Sequence, residues 1–240
     1  MHIEKYQSNN KMPKHIALII DGNGRWAKHR GLPRIVGHKF GFDNLKSQID
    51  FVQELGIKNL SVYCFSTENW NRPKKEVDYL MKLFNQMLDE YKQKYLTKDV
   101  RIIISGDLTD TRLPKQVRVK AQELIEATKN NTGFILNCCI NYGGKQEIIK
   151  AVNEIVKLNK TVNADEFEQH LYTKDLLPLD LIIRTSGELR SSNFMPWQST
   201  YSEWYYSKKH WPSFTKKELL KALDSYMKRN RRFGAIKENT

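Results

Sequence analysis

Short β-rich runs alternating with longer stretches of helical periodicity constrain the fold of this chain more than any other feature. The runs are His15 to Ile20, Leu60 to Phe65, Val100 to Ile104, Phe134 to Ile140 and Leu181 to Ile183, each closely followed by Gly, Ser, Asn or Thr. Between them Leu45, Ile49 and Val52 recur at helical spacing, as do Val77, Leu80, Met81, Phe84, Leu88 and Tyr91. Val117, Ala121, Leu124 and Ile125 form a third set, and Ile148, Ile149, Val152, Ile155 and Val156 a fourth. Pro73 and Pro114 stand where a first helical turn tolerates proline. A last helix from Thr215, with Leu219, Leu220, Leu223 and Met227 on one side, is predicted to end at Gly234. This alternation predicts an α/β fold: a mainly parallel central sheet with helices on both faces. No repeat, low-complexity tract or long linker divides the chain, so residues 1–240 read as one domain.

Composition agrees and narrows the class. With 240 residues and 40% apolar side chains the chain can bury a sizeable core, which excludes disorder and disulfide-stapled mini-proteins. Aliphatic runs such as Ile16 to Ile20 fall far short of the ~20 apolar residues of a membrane span. The polar opening carries no signal-peptide core, and a cytosolic protein is expected. Cys64, Cys138 and Cys139 lie in apolar runs and read as buried thiols, and no Cys-x-x-Cys or paired His spacing suggests zinc. The net charge of +13 is unevenly placed. Residues 1–46 carry nine basic and three acidic side chains, residues 205–240 ten and three, and the middle 21 of each. Nucleic acid, an anionic membrane surface and a polyphosphate substrate would all suit such ends, and charge alone does not choose.

Parallel α/β sheets bind ligands beyond the carboxyl ends of their strands. Those ends hold Asp21-Gly22-Asn23-Gly24-Arg25-Trp26, Ser66-Thr67-Glu68-Asn69-Trp70, Asn141-Tyr142-Gly143-Gly144 and Arg184-Thr185-Ser186-Gly187-Glu188, which would share one rim. Gly22 and Gly24 flank a turn where bare N–H groups can converge on an anion, with Arg25, Arg30, Arg34, His38 and Lys39 close behind; an ordinary glycine turn is the equal alternative. The loop is neither a Walker A motif nor a dinucleotide Gly-x-Gly-x-x-Gly. Arg184 and Arg190, with Ser192, suit bidentate capture of a diphosphate. Asp21 would repel such a ligand unless a divalent cation joined them, and Mg²⁺ suits oxygen ligands around a diphosphate. Met81, Phe84, Met87 and Tyr91 along one helix read first as core. Beside two phosphate sites, they also suit an apolar channel for an amphiphile, which points to prenyl diphosphates.

The segment from His15 through Asp21-Gly-Asn-Gly-Arg-Trp26 to Arg34 and His38 closely resembles the opening of the cis-prenyltransferases, the undecaprenyl diphosphate synthase family. Four further blocks match in order: Phe65-Ser-Thr-Glu-Asn69-Trp-Asn-Arg72; Asn141-Tyr-Gly-Gly144; Arg184-Thr-Ser-Gly-Glu188 through Arg190, Ser192, Trp197 and Tyr201 to Glu203; and Arg231-Arg-Phe-Gly234. No two aspartates are adjacent, so the Asp-Asp-x-x-Asp site of trans-prenyl synthases is absent.

The resemblance implies an Mg²⁺-dependent condensation of isopentenyl diphosphate onto an allylic prenyl diphosphate such as farnesyl diphosphate. The product would be a medium-to-long cis-polyprenyl diphosphate held in an apolar tunnel inside the domain. It makes Asp21 the central catalytic carboxylate, with Asn69 also catalytic. Gly22, Asn23, Gly24, Arg25, Trp26, Arg34 and His38 are assigned to the allylic diphosphate, and Arg184, Arg190 and Ser192 to isopentenyl diphosphate. Ser66, Glu68, Trp70 and Arg72 lie between the substrates, Asp21 and Glu203 at the metal, and Glu76 in a mobile segment that closes over them. A homodimer with Arg231 to Gly234 near its boundary is implied, and a peripheral membrane contact during product release is expected. Leu189, Ser191 and Pro196 depart from the family pattern and bear on the loop before Glu203. A short-chain synthase, a non-catalytic partner subunit and a basic nucleic-acid-binding module are the rival readings; the last is disfavoured because no nucleic-acid motif appears.

Overall fold

The computed structural model describes residues 3–95 and 98–230. Six strands form one sheet in the order β3-β4-β2-β1-β5-β6, every pair parallel. They are β1 (His15–Ile19), β2 (Asn59–Ser66), β3 (Val100–Ser105), β4 (Phe134–Tyr142), β5 (Leu181–Arg184) and β6 (Glu203–Tyr206). The helices are α1 (Glu4–Gln7), α2 (Asn23–Lys28), α3 (Arg34–Glu54), α4 (Lys74–Tyr95), α5 (Lys115–Thr128), α6 (Gly144–Lys157), α7 (Ala164–Glu168) and α8 (Lys216–Met227).

All five predicted strands form. The strand β6 was not anticipated: Glu-Trp-Tyr-Tyr is too short and too polar at its start to stand out by periodicity. The helix α8 ends at Met227, earlier than predicted, and Gly234 lies outside the described residues. The fourth helical set divides between two faces. Ala151 and Ile155 of α6 are buried, whereas Ile149, Val152 and Val156 face outward.

The central strand β1 is buried at all five positions, as a strand paired on both sides and covered on both faces must be. Ile16 and Leu18 join the larger core cluster with α3, α4, α5 and α8, while Ala17 and Ile19 face a smaller cluster around Tyr63, Tyr142, Phe194 and Met195. Strands β2, β4 and β3 extend the sheet on one side of β1, and β5 and β6 on the other, so the direction of winding reverses at β1. A crevice therefore opens above β1, beyond the carboxyl ends of its neighbours. No described helix is long and apolar enough to cross a membrane.

Candidate active site

A cavity of about 710 Å³ opens at that crevice. Its mouth is lined by the loop after β1 (Asp21, Gly22, Asn23, Gly24, Arg25), by Arg34 and His38 of α3, and by Ser66, Glu68, Asn69 and Arg72 after β2. Arg184, Glu188, Arg190 and Ser192, at and beyond the end of β5, complete it. Its depth is apolar, with Phe42 and Leu45 of α3, Cys64 of β2, and Leu80, Leu83, Phe84 and Met87 of α4.

The loop after β1 is held from behind. The Asp21 carbonyl accepts hydrogen bonds from Thr185 Oγ1 (2.7 Å) and the Trp211 amide (3.0 Å). Gly22 adopts φ +101°, and a Cβ there would lie 2.3 Å from Ser186 Oγ and 2.7 Å from His210 Nδ1, so only glycine fits. Ser186 Oγ and His210 Nδ1 are themselves hydrogen-bonded at 2.5 Å. Thr185 and Ser186, from the block quoted at the rim, form a clasp with His210, which motif reading did not include; nothing in the sequence couples His210 to a loop nearly the whole chain away.

Asp21 projects into the cavity between two guanidinium groups, Arg25 Nη2 at 3.0 Å and Arg184 Nη2 at 3.2 Å. Arg25 also donates to Glu188 Oε1 (2.5 Å), whose other oxygen accepts from Arg190 (2.5 Å), and these two cations hold the Glu188 carboxyl below its ordinary range. Arg184 is buried; it donates to Ser192 Oγ (2.8 Å) and to the Arg190 carbonyl, while its Nε has no partner. Ser186, Ser192, Asn193 and Met195 all have positive φ, so this loop carries backbone strain, and Ser192 and Asn193 of it lie on the cavity wall.

A second cluster forms around Glu76, in the first turn of α4. Arg34 Nε donates to Glu76 Oε2 (3.1 Å), and His38 Nε2 (3.0 Å) and Arg72 Nη1 (3.3 Å) donate to Oε1. Burial favours the protonated carboxyl, but these donors outweigh it and hold Glu76 below its usual pKa. Burial pushes the His38 imidazole down, against the pull of Glu76. Glu76 thus belongs to a formed helix and gathers three of the basic side chains at the mouth of the cavity, Arg34, His38 and Arg72.

The remaining expectations divide. Asn69 lines the cavity and also accepts from the Ser66 amide (3.2 Å), the reciprocal arrangement of a capping box. Glu68 accepts from Asn193 Nδ2 (2.9 Å), which ties the β2 and β5 loops together. Trp26 and Trp70 point away from the cavity: Trp26 Nε1 donates to Ser213 Oγ (2.7 Å) and Trp70 Nε1 to Asn141 Oδ1 (2.7 Å). Glu203 is not brought to Asp21. Its register places it level with Leu181 and Ile16, at the amino ends of the strands, where it accepts from Arg229 (2.5 Å). The pairing of these two carboxylates at one metal is therefore corrected for a single chain. Of the departures, Leu189 is exposed and Pro196 packs against Gly144; neither touches Asp21.

Two basic clusters, one around Asp21 and Glu188 and one around Glu76, above an apolar cavity define a site for anionic amphiphiles on an α/β scaffold. A family model described as putative undecaprenyl diphosphate synthase matches residues 19–234. The chain is 49% identical to an isoprenyl transferase of Thermotoga maritima, over 94% of this chain and 98% of that protein, and 46% identical to one of Fusobacterium nucleatum over 94% and 97%. It is similar to the crystal structure of lavandulyl diphosphate synthase from Lavandula x intermedia in complex with dimethylallyl diphosphate (TM-score 0.88, 34% identity, covering 95% of this chain and 100% of that one). It is also similar to a probable undecaprenyl diphosphate synthase from Campylobacter jejuni (TM-score 0.77, 34% identity, the same coverage). The chain belongs to the cis-prenyltransferase family, and it is a prenyl-transferring enzyme.

Proposed function

We propose that this enzyme condenses isopentenyl diphosphate onto an allylic prenyl diphosphate, farnesyl diphosphate first, and repeats the step to a cis-polyprenyl diphosphate of about undecaprenyl length, a lipid-carrier precursor for cell-wall synthesis. The observation that carries this reading is one cavity whose mouth holds Asp21 with Arg25, Arg184, Arg190 and Ser192, and beside them Arg34 and His38 on Glu76, over apolar walls. Two diphosphates held there would be neighbours, as a bimolecular step needs. The allylic C–O bond breaks, the isopentenyl double bond forms the new C–C bond, and a proton leaves. The guanidinium groups stabilise charge on the departing diphosphate, and the apolar walls keep water from the allylic cation.

No cluster of three or more His, Cys, Asp or Glu side chains that could cage a metal occurs among the described residues. Asp21 alone suits Mg²⁺, which binds through one or two carboxylates plus substrate phosphates and water. Bound there, Mg²⁺ would neutralise the leaving diphosphate. A homodimer fits the outward apolar stripe Ile149, Val152 and Val156 of α6 as the face for a second copy. The test is to incubate the purified protein with labelled isopentenyl diphosphate, farnesyl diphosphate and Mg²⁺ and to size the products. A ladder reaching about eleven isoprene units is expected; no incorporation, or a stop at three units, refutes the reading.

A further inference from the structure

The basic excess at the two ends of the chain is only partly used by the cavity. No Asp or Glu occurs from residue 22 to 42, which holds five Lys and Arg, nor from 204 to 217, which holds four. The fold brings these two segments together along α2. Trp26 Nε1 donates to Ser213 Oγ, the His29 and His210 rings lie 5.2 Å apart, and Trp211 Nε1 donates to the Gly41 carbonyl. Lys28, Arg30, Lys208 and Lys209 are exposed and in no ion pair among the described residues, and Lys39 has only Asp43 at 3.9 Å. Within this cationic field stand two large apolar side chains in solvent, Leu32 (38% exposed) and Phe40 (48% exposed). Phe40 lies against the Trp26 ring (4.9 Å), which carries the Arg30 guanidinium 4.2 Å from its centroid.

We infer that this face docks on an anionic lipid surface, with Leu32 and Phe40 entering the headgroup region and Lys28, Arg30, Lys39, Lys208 and Lys209 meeting lipid phosphates. Single-signed charge around exposed apolar side chains is the chemistry of an interfacial contact, since each supplies one of the two attractions a peripheral protein needs. A second copy of this chain would bring like charges together on such a face. The same helix α3 that presents Phe40 outward lines the cavity with His38, Gly41 and Phe42, so the membrane would lie beside the cavity mouth. The use made of that proximity, release of an amphiphilic product into lipid, rests on the proposed function; the binding itself does not.

The test is co-sedimentation of the full-length protein, without any prenyl diphosphate, with vesicles of phosphatidylcholine alone or mixed with phosphatidylglycerol. Binding to the mixed vesicles only, weakening as salt rises, is expected. Lys28→Ala with Lys209→Ala should lower the partition coefficient roughly fivefold per lysine, and Leu32→Asn should lower it again with an unchanged melting temperature. Turnover of soluble substrates in the same variants should be preserved, so a failure of vesicle binding and a failure of the proposed reaction are read separately. Equal binding to neutral vesicles, no effect of the lysine changes, or a salt-sensitive complex with duplex RNA that outcompetes the vesicles would overturn the assignment.

Discussion

Two polar constructions on the same sheet have opposite character. Across β1, β2, β4 and β3 runs a buried belt. His15 Nε2 meets Ser61 Oγ (2.8 Å), Asn137 Nδ2 donates to Ser61 Oγ (3.1 Å), and Ser105 Oγ donates to Asn137 Oδ1 (2.8 Å). Every member is buried and none carries a carboxylate or guanidinium. At the carboxyl rim, Arg184, Asp21, Arg25, Glu188 and Arg190 form a chain of alternating charges open to the cavity. The belt cannot change partners without leaving a buried donor or acceptor unmade, which costs ~1–3 kcal/mol. At the rim a guanidinium can exchange a carboxylate for a phosphate, because both offer the paired oxygens that its fork requires. One network therefore fixes strand register, and the other is free to serve ligands.

The sharpest break in that comparison would come from Asp21→Ala. Turnover should fall ~10²–10³-fold, the usual cost of removing one preorganised electrostatic group. The melting temperature should barely move, because Arg184 keeps Ser192 and the Arg190 carbonyl. A folded variant with near-normal turnover would remove Asp21 from the chemistry. A large loss of stability would make the rim as structural as the belt.

The belt should reveal itself through pH. Burial lowers the His15 pKa from 6.5 to about 4, with Nδ1 bonded to the Leu177 carbonyl at 2.7 Å. Between these values the unfolded chain binds a proton that the folded chain refuses, so stability rises with pH through this window. The contribution is complete above pH 6.5 and diminishes by about 3 kcal/mol on going down to pH 4. Denaturant melts from pH 4 to 7 should show a shallower slope in His15→Gln than in the native protein; equal slopes would mean that His15 is free to titrate in the fold.

These two regions also differ in how far the sequence discloses them. The rim was legible because glycines, arginines and asparagines follow directly on apolar runs, and strand ends on one edge of a parallel sheet must meet. The belt was not: His15, Ser61 and Asn137 sit inside runs whose apolar neighbours dominate the pattern, and their pairing depends on strand order, which periodicity does not contain. Motif order placed Glu203 with the metal, whereas the register of β6 sends it to the other end of the sheet. Glu76 was legible as a site residue but not as the common acceptor of Arg34, His38 and Arg72, since that convergence comes from the packing of α3 on α4.

Within the rim, the two cationic clusters should separate by substrate. Arg184→Ala should raise the KM for isopentenyl diphosphate about 10- to 100-fold, the loss of a charge-assisted interaction worth ~1.5–3 kcal/mol. Arg190, more exposed, should give a smaller effect. Arg34→Ala should act mainly on the allylic substrate. Titrations in which every change weakens both substrates equally would merge the clusters into one site.

The smallest expected effect on rate, and the most specific on product, lies at Cys64. The pairing of β2 with β4 passes from Tyr63 opposite Cys139 to Phe65 opposite Ile140, so Cys64 and Phe65 together face a single partner position. This bulge breaks the strict alternation of the strand and turns both side chains toward the larger core, with Cys64 on the cavity wall near Phe84 and Met87. The hydrogen bond with the neighbouring Cys138 thiol, and then burial, push the Cys64 pKa up, so it acts as a small neutral wall residue rather than a nucleophile. Cys64→Phe adds a ring into the cavity beside Ser66, taking up volume that the growing chain would occupy. The first condensation should continue while the product ladder shifts to shorter chains, read by sizing labelled products. Cys64→Ala should leave the ladder at full length, which separates bulk from loss of the thiol. A folded Cys64→Phe protein with an unchanged ladder would show that the growing chain leaves the cavity by another wall.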